Sequence, residues 1–391
     1  MRLPSESALS KEQKEVISAP TEGTILVVGP PGSGKTVVAV MRERTLKKRK
    51  EKVVSVVFTN VLTRYTGNPS TFDTWLQEWW QAATKSRWFP SVVHTDDAGA
   101  RHWTKDYAAA SAEALSTKKA GLRKLGNWHH LVLDEAQDFP ADAHSFLFKV
   151  QHRVFGDLPE EDRPSICILA DENQRLTQFN STILQIKKSH ITLTAQDEYQ
   201  LTQNYRNTIQ IAEFASHFYV GLASGKPLPP KTHGDIPKIT SASLDEAVER
   251  IATYARNHPN EEVGVLTYNN KTRHKLFNKL NHRLKPLKLR VQTYGTKPES
   301  DRDPANLIFD KPGTVTCLCF ASAKGLEFDT VFLPELQAIP IDGDNRDQIR
   351  MNLYVMCSRA RKQLWLFIDA AEGTHPVWQL LPPPHLWRAE S

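Results

Sequence analysis

Cysteine is scarce in this sequence, and its spacing indicates neither a disulfide framework nor a CxxC metal pair. The 4 cysteines among 391 residues stand at positions 167, 317, 319 and 357. No apolar run approaches the roughly 18 residues that a membrane-spanning helix needs. The opening residues, MRLPSESALS, lack the apolar core of a secretory signal. These absences exclude a disulfide-stapled module and a membrane protein, and we expect a cytoplasmic protein.

The chain also lacks internal repeats, low-complexity tracts and a strong excess of either charge. Its formal net charge is +6 and its pI is near 9.0. A basic balance of this size favours a polyanionic partner, although ordinary surface solubility explains it equally well. The charge alone therefore does not identify a ligand.

Short apolar runs, separated by helix-like stretches, recur along the whole chain. Buried strands of parallel sheets have such continuous apolar runs, and their alternation with helices is typical of doubly wound α/β domains. The sequence therefore predicts two α/β units. Their predicted strands are TILVVG (24–29), VVSVVFT (53–59), HLVLDE (130–135), ICILAD (166–171), VGVLTY (263–268), TVTCLCF (314–320), TVFLPE (330–335) and LWLFID (364–369).

A phosphate-binding loop follows the first predicted strand. Its glycines let the backbone N–H groups approach phosphate oxygens, its lysine supplies a charge at the β- and γ-phosphates, and its last hydroxyl is a ligand for Mg²⁺. A chance glycine-rich turn would not be expected between a strand and a helix. The loop, GPPGSGKT, consists of Gly29, Pro30, Pro31, Gly32, Ser33, Gly34, Lys35 and Thr36.

An acidic pair ends the third predicted strand, in LVLDEAQDF (131–139). Asp134 can hold Mg²⁺ together with Thr36, and Glu135 can polarise the attacking water. An acidic pair at a strand end is common by itself. After a phosphate loop it favours hydrolysis of the nucleotide over binding alone.

Further short motifs identify a kind of ATPase. Together with the loop and the acidic pair, they resemble the ordered motif series of superfamily 1A helicases, the UvrD/Rep type, over residues 8–367. The resemblance implies two RecA-like motor domains, at residues 1–200 and 201–391, with ATP and Mg²⁺ bound in the cleft between them. The motifs are ALSKEQKEVISAP (8–20), ILADENQRL (168–176), LTQNYRNT (201–208), ASAKGLEFDTVFL (321–333) and NLYVMCSRARKQLWLF (352–367).

The resemblance assigns several residues to the nucleotide. Gln13 corresponds to the glutamine that reads adenine, because an amide offers both a donor and an acceptor to the base edge. Tyr205 corresponds to the tyrosine that stacks on the base. Gly325 and Glu327, in KGLE, correspond to positions near the ribose and the metal.

Three further residues are implied in catalysis. Arg206 and Arg359 correspond to arginines that reach the γ-phosphate from the second domain, where they stabilise transferred charge. Gln174 corresponds to the residue that couples the γ-phosphate to domain closure. For each arginine alone, a surface salt bridge is the alternative.

The resemblance places single-stranded DNA against two segments, VVFTN (56–60) and TFDTW (71–75), and against one aromatic residue beyond them. Aromatic rings would stack on bases and hydroxyl or amide groups would bind phosphates. Packing in the core is the alternative for the aromatic residues. The predicted DNA contacts are Phe58, Thr59, Asn60, Thr71, Trp75 and Phe179.

The chain departs from the family in ways that bear on DNA. The first accessory insertion, at about 76–128, is reduced, and the second is largely absent. Val37 and Asn180 stand where many relatives carry arginine, and Ala321 stands where they usually carry histidine. The first insertion is rich in tryptophan, which indicates a surface for bases or proteins or else a small core.

Two functions of different classes follow, with a third less favoured. One is an ATP-dependent translocase or helicase on single-stranded DNA. Another is a DNA-sensing regulatory ATPase with little unwinding of its own, because compact chains of this type resemble the helicase-like subunits of bacterial anti-phage systems such as Gabija. In that case a protein partner such as a nuclease subunit would do the cutting. RNA remodelling is the third.

Overall fold

The computed structural model describes residues 3–67, 70–85, 88–95, 101–116, 127–174, 180–222, 225–369 and 375–390. Within these ranges the chain forms two large sheets and one small hairpin, with helices between the strands. None of the helices in these ranges is long and apolar enough to cross a bilayer. Following the predicted boundary, residues up to 200 are called the first unit and residues from 201 the second unit.

The strands alternate with helices as the apolar runs predict. In chain order the strands are β1 (Thr24–Val28), β2 (Val53–Val57), β3 (Ser70–Thr71), β4 (Ser91–Thr95), β5 (Arg101–Lys105), β6 (His130–Leu133), β7 (Ser165–Ala170), β8 (Glu198–Gln200), β9 (Lys238–Ser241), β10 (Glu262–Thr267), β11 (Arg290–Tyr294), β12 (Thr314–Cys319), β13 (Phe328–Leu333), β14 (Ala360–Ile368) and β15 (Arg388–Ala389).

The α-helices carry the apolar faces that cover these sheets. They are α1 (Lys11–Ser18), α2 (Lys35–Lys48), α3 (Asn60–Thr66), α4 (Phe72–Thr84), α5 (Tyr107–Ser116), α6 (Ala141–Lys149), α7 (Ile183–Ser189), α8 (Ile209–Ser216), α9 (Leu244–Asn257), α10 (Asn270–Leu284), α11 (Phe320–Ala323) and α12 (Arg346–Cys357).

Both large sheets are parallel throughout. The first has 6 strands in the order β3-β2-β6-β7-β1-β8, and the second has 7 in the order β11-β12-β10-β13-β14-β9-β15. Strands β4 and β5 form a separate antiparallel hairpin. The predicted α/β class with two parallel sheets is confirmed.

Each face of the first sheet is covered, which explains the continuous apolar runs. In β1, Leu26 and Val28 belong to one hydrophobic cluster, whereas Ile25 and Val27 belong to another on the opposite face. Successive side chains of a strand point to opposite faces. A strand buried on both sides therefore needs an apolar residue at every position.

The two units share a hydrophobic cluster. Val57, Leu62 and Tyr65 of the first unit belong to the same cluster as Phe214 and Leu326 of the second. The ring of Tyr65 also meets the ring of Phe309 edge-on, with centroids 5.4 Å apart. The boundary between the units is therefore a packed apolar contact.

The topology brings loops of both units to this boundary. In the first sheet β1, β6 and β7 lie side by side and parallel, so their carboxyl ends reach the same edge. In the second sheet β13 and β14 are neighbours, and Phe328 pairs with Ala360 at their amino ends. The residues just before these two strands, including Glu327 and Arg359, are thereby placed together.

The tryptophan-rich segment is divided between core and surface. Trp75, Trp79, Trp80 and Trp128 are buried in one cluster around α4. Trp103, on the hairpin, is 71% exposed. The small core that the sequence offers as one alternative is present, and it holds four of the six tryptophans of this segment, whereas Trp88 and Trp103 are exposed.

Candidate active site

The phosphate loop follows β1 at the carboxyl edge of the first sheet. Gly32 and Gly34 have φ angles of +82° and +89°, a left-handed conformation that glycine adopts without strain. Gly29 is required for another reason, because an added Cβ would lie 2.6 Å from Ser33 Oγ and 2.9 Å from Leu201 Cβ. The three glycines therefore sit where the backbone allows no other residue without strain or displacement.

Lys35 lies inside this loop at the start of α2 and is 5% exposed. Its Nζ donates to the carbonyl oxygens of Gly29, at 2.6 Å, and Pro30, at 3.2 Å. It also lies 3.4 Å from Oδ2 of Asp171, which follows β7. The amino end of a helix favours a bound anion, so the lysine charge and the helix act on the same place.

Gln13 ties the first helix to the loop. Its Oε1 accepts from the backbone N–H of Ser10, at 3.0 Å, as part of the box that caps α1. Its Nε2 donates to the carbonyl oxygen of Ser33, at 3.1 Å. The amide is thus held against the phosphate loop while one face of it borders the cavity described below.

Asp134 follows β6 and has an oxygen that suits a cation. Its Oδ1 accepts from the N–H of Glu135, at 3.0 Å. Its Oδ2 is buried and has no hydrogen-bond partner in the described part of the chain. Burial, with Glu135 adding to it, raises the pKa of Asp134 to about 7, while the nearby Thr36 hydroxyl and Lys35 lower it. A buried, unpaired carboxylate oxygen beside a hydroxyl fits the oxygen ligands that Mg²⁺ prefers.

Glu135 is held in an unusual backbone conformation, with φ of +54°. Its Oε2 accepts from Nε2 of Gln137, at 2.6 Å, and lies 3.9 Å from Nζ of Lys324. Burial alone would raise the pKa of Glu135, but the charges of Lys324, Lys35 and Arg359 outweigh burial and lower it. The carboxylate is therefore kept ionised in a buried place.

Gln174 joins the two units. It follows β7 in a short 3₁₀ turn, Glu172–Gln174, and its Nε2 donates to Oδ2 of Asp171 at 2.7 Å. Its Oε1 accepts from Nη2 of Arg359 in the second unit. Arg359 is itself buried, and its Nε donates to the carbonyl of Val355 at 3.0 Å. Arg359 thus reaches the first unit through Gln174.

Two other arginines of the second unit share one carboxylate. Arg206 Nε donates to Oε2 of Glu327 at 2.8 Å, and Arg361 Nη1 lies 3.5 Å from Oε1 of the same residue. Burial raises the pKa of Glu327, but these two arginines outweigh burial and lower it. Nη1 of Arg206 is buried and has no partner among the described residues. That group is a free donor at the boundary of the units.

A cavity of about 440 Å³ lies between these groups. Residues of both units line it. Most residues that the sequence assigns to the nucleotide are in its wall. The predicted residues that line it are Gln13, Gly32, Gly34, Lys35, Thr36, Glu135, Gln174, Tyr205, Arg206, Gly325 and Glu327.

Other predicted residues lie around the cavity without forming its wall. Pro31 lines a smaller neighbouring cavity, beside Asn204 and Tyr354. Pro30 supplies its carbonyl to Lys35 and to Ser33 Oγ. Pro30 and Pro31 therefore help to set the shape of the loop without lining the larger cavity.

Sequence reasoning missed several residues here, including the apolar wall residues Leu3, Pro4 and Ala8. Tyr65 and Arg361 line the cavity, and Lys324 lies beside Glu135. Arg361 stands two positions after Arg359 in the same motif, and Lys324 stands directly before Gly325, so the motifs contained both. Their roles depend on how the units meet, which no local pattern states.

The residues predicted to bind DNA fall into two groups. Phe58 is 47% exposed beside α3, and Asn60 is exposed at the start of that helix. Thr59 caps α3 by accepting from the N–H of Leu62, and Thr71 caps α4 in the same way. Phe179 lies outside the described residues.

Trp75 belongs to the core instead of the surface. It is 8% exposed, and its ring stacks on Trp79 with centroids 6.2 Å apart and meets Trp128 edge-on. Burial of its large apolar surface explains the position. In this conformation the ring is not available for stacking on a base.

Part of the first unit matches a known protein family. Residues 19–165 match the model of a family described as AAA domain, and this part of the chain contains the phosphate loop and most strands of the first sheet. No curated protein matches the chain. One similar solved structure is the C-terminal domain of a possible DNA helicase from Lactobacillus plantarum WCFS1. It is 20% identical, covers 48% of this chain and 99% of that chain, and has a TM-score of 0.33.

Proposed function

We propose that the chain is an ATP-driven motor of the superfamily 1A type that moves along single-stranded DNA. The observation that carries this proposal is the composition of the cavity. Lys35, Glu135 and Gln174 contribute from the first unit, and Arg206 and Glu327 from the second. A nucleotide bound there would contact both units, so its hydrolysis would change how they fit together.

Hydrolysis would be shared among four groups of the first unit. Lys35 places a positive charge at the end of the phosphate loop, where the γ-phosphate would lie. Thr36 and Asp134 would hold Mg²⁺, which neutralises charge on the phosphate oxygens when bound. Glu135, held ionised in a buried place, would orient the attacking water and accept its proton.

The nucleoside would be read by other residues of the cavity wall. Tyr205 is 51% exposed and lines the cavity, and its ring would stack on a base. Gln13 retains one amide hydrogen and one lone pair beyond the bonds described above, enough for a base edge. Gly325 and Glu327 border the same space and would lie near the ribose.

From the second unit, Arg206 has the free donor that a γ-phosphate needs. Arg359 is engaged with Gln174, so it would act on the phosphate after exchanging that bond or through Gln174 itself. Either route makes the arrangement of the cavity sensitive to the presence of the γ-phosphate.

Single-stranded DNA would lie against the exposed residues near α3. Phe58 offers a ring for stacking, and Asn60 offers an amide for a phosphate. The net charge of +6 also favours binding of a polyanion such as DNA.

A second candidate is a DNA-sensing regulatory ATPase whose state is read by a protein partner such as a nuclease subunit. One observation favours it. Asn180 stands where the related motors often carry arginine, and its Nδ2 donates to Oδ1 of Asp138, at 2.6 Å, inside the protein. An amide engaged in this way is poorly suited to couple DNA to the ATP cycle.

Rates of ATP hydrolysis, measured with and without a single-stranded oligonucleotide, test the proposal. We expect hydrolysis that is stimulated by the oligonucleotide and is slowed by on the order of 10² or more in Glu135→Gln. Strand displacement on a long tailed duplex separates the two candidates, since a regulatory ATPase would hydrolyse ATP but leave the duplex paired. If single-stranded DNA neither binds nor stimulates hydrolysis, the motor proposal is wrong.

A further inference from the structure

A buried group of charges lies where the units meet, and one of its members, Glu135, is part of the cavity wall. Glu135 and Asp138 of the first unit are 3% and 6% exposed, and Lys324 of the second unit is 1% exposed. Lys324 Nζ donates to Oδ1 of Asp138 and lies 3.9 Å from Oε2 of Glu135. The Lys324 ammonium thus interacts with both carboxylates.

A turn in the second unit brings Lys324 to this position. Lys324 follows the short helix α11 directly and precedes Gly325, which has φ of +77°. A Cβ at position 325 would collide with the Leu62 side chain of the first unit. Glycine therefore lets this turn come close enough for Lys324 to enter the first unit.

The charges around it make the lysine difficult to replace. Buried carboxylates need a compensating charge or they take up a proton. Asn180 also donates to Asp138, but a neutral amide adds no charge. Lys324 Nζ, by contrast, is charged and forms ion pairs with both Glu135 and Asp138.

We infer that Lys324 is a positioning residue for hydrolysis, because its ammonium contacts both Glu135 and Asp138 and so holds the Glu135 side chain in place only when the second unit is docked on the first. The inference rests on the proposed role of Glu135 toward water. The orientation of the attacking water by Glu135 then depends on Lys324, which the second unit supplies. Opening of the units would then stop hydrolysis without removing any residue that binds the nucleotide.

The test compares Lys324→Met, Lys324→Arg and the double variant Lys324→Met/Asp138→Asn. For each, kcat and KM for ATP, binding of a fluorescent ATP analogue and unfolding in urea are measured. Lys362→Met is the matched control, because Lys362 forms a more exposed ion pair with Glu261 and Asp329 in the same unit.

For Lys324→Met we expect kcat to fall by about tenfold to a hundredfold, within the range for a mispositioned general base. KM and analogue binding should change little, since Lys324 is not part of the cavity wall. Lys324→Arg should recover part of kcat. The double variant should recover stability, because it removes the uncompensated Asp138 charge, but should keep the low kcat.

Two results would overturn the inference. One is wild-type kcat in Lys324→Met. The other is a double variant that regains both stability and kcat, which would mean that Lys324 only neutralises Asp138. If the single variant does not fold, Lys324→Arg and the double variant decide. Absence of ATP hydrolysis in the unaltered chain would instead contradict the proposed function.

Discussion

Arg359 of the second unit donates a hydrogen bond from Nη2 to Oε1 of Gln174 in the first unit. Gln174 in turn donates to Asp171, whose Oδ2 lies 3.4 Å from Nζ of Lys35. All four side chains are buried. A continuous set of polar contacts therefore runs from the second unit to the phosphate loop.

This contact predicts the effect of Gln174→Leu. The substitution keeps the approximate volume but removes the amide between Arg359 and Asp171. We expect hydrolysis to slow by about tenfold or more, with nucleotide affinity changed far less, because the link between the units is lost rather than the phosphate loop. Steady-state kinetics and analogue titration measure the two effects separately. A variant that loses affinity and rate equally would place Gln174 on the ground-state nucleotide instead.

The phosphate loop predicts a different pattern for Lys35→Ala and Glu135→Gln. Lys35→Ala removes the charge held by the carbonyls of Gly29 and Pro30, and should abolish turnover and weaken nucleotide binding. Glu135→Gln should retain the nucleotide while hydrolysis slows by on the order of 10² or more.

Lys11→Ala is a suitable control, because that lysine side chain is 91% exposed. Hydrolysis in Glu135→Gln at the unaltered rate would show that another group orients the water.

The local parts of this site could be predicted from sequence, and the parts made between units could not. Every predicted strand is found, because a strand buried on both faces must be apolar at successive positions. The phosphate loop is recognisable because Gly32 and Gly34 adopt positive φ angles and because a Cβ atom at Gly29 would clash with its neighbours. Lys324 and Arg361 act across the boundary between two units, and no periodicity in either unit encodes that contact.

Aromatic residues were ambiguous for a related reason. Phe58 and Trp75 stand in similar segments, and the sequence alone does not tell whether an aromatic ring is exposed or buried in the core. Trp75 lies in α4, whose apolar face already holds Trp79 and Trp80, and burial there removes a large apolar area from water. Phe58 follows β2 and stays 47% exposed. Only tertiary packing separates the two.

That difference predicts opposite results for the two alanine variants. Phe58→Ala should weaken binding of a labelled single-stranded oligonucleotide by about 1–3 kcal/mol, the usual loss for one stacked base. Its stability should remain nearly unchanged. Trp75→Ala should reduce the free energy of unfolding by about 3–5 kcal/mol, as expected for a large core side chain.

Fluorescence anisotropy at several salt concentrations and urea denaturation measure these quantities. Binding of the unaltered chain should weaken as salt increases, because phosphate contacts release counterions. Affinity that is independent of salt, or equal in Phe58→Ala and the unaltered chain, would remove this surface from the DNA path.

A pair of buried histidines predicts how stability depends on pH. His144 and His190 are both 0% exposed, and their rings meet edge-on with centroids 5.6 Å apart. His144 Nε2 donates to the carbonyl of Ala136 at 3.0 Å, whereas neither ring nitrogen of His190 has a partner in the described chain. Burial lowers the pKa of His144 from 6.5 to about 4, and lowers that of His190 well below its usual value.

Because the folded state resists protonation, the unfolded chain binds more protons below pH 6.5, the ordinary histidine pKa. Stability should be complete above that pH and be lost as the pH falls toward the folded pKa. Each histidine should cost about 2 kcal/mol between about pH 7.5 and about pH 5. Urea denaturation at the two pH values measures the loss. His190→Leu should reduce it, whereas substitution of the exposed His385 should not. Equal pH dependence in His190→Leu and the unaltered chain would show that His190 does not contribute to the loss.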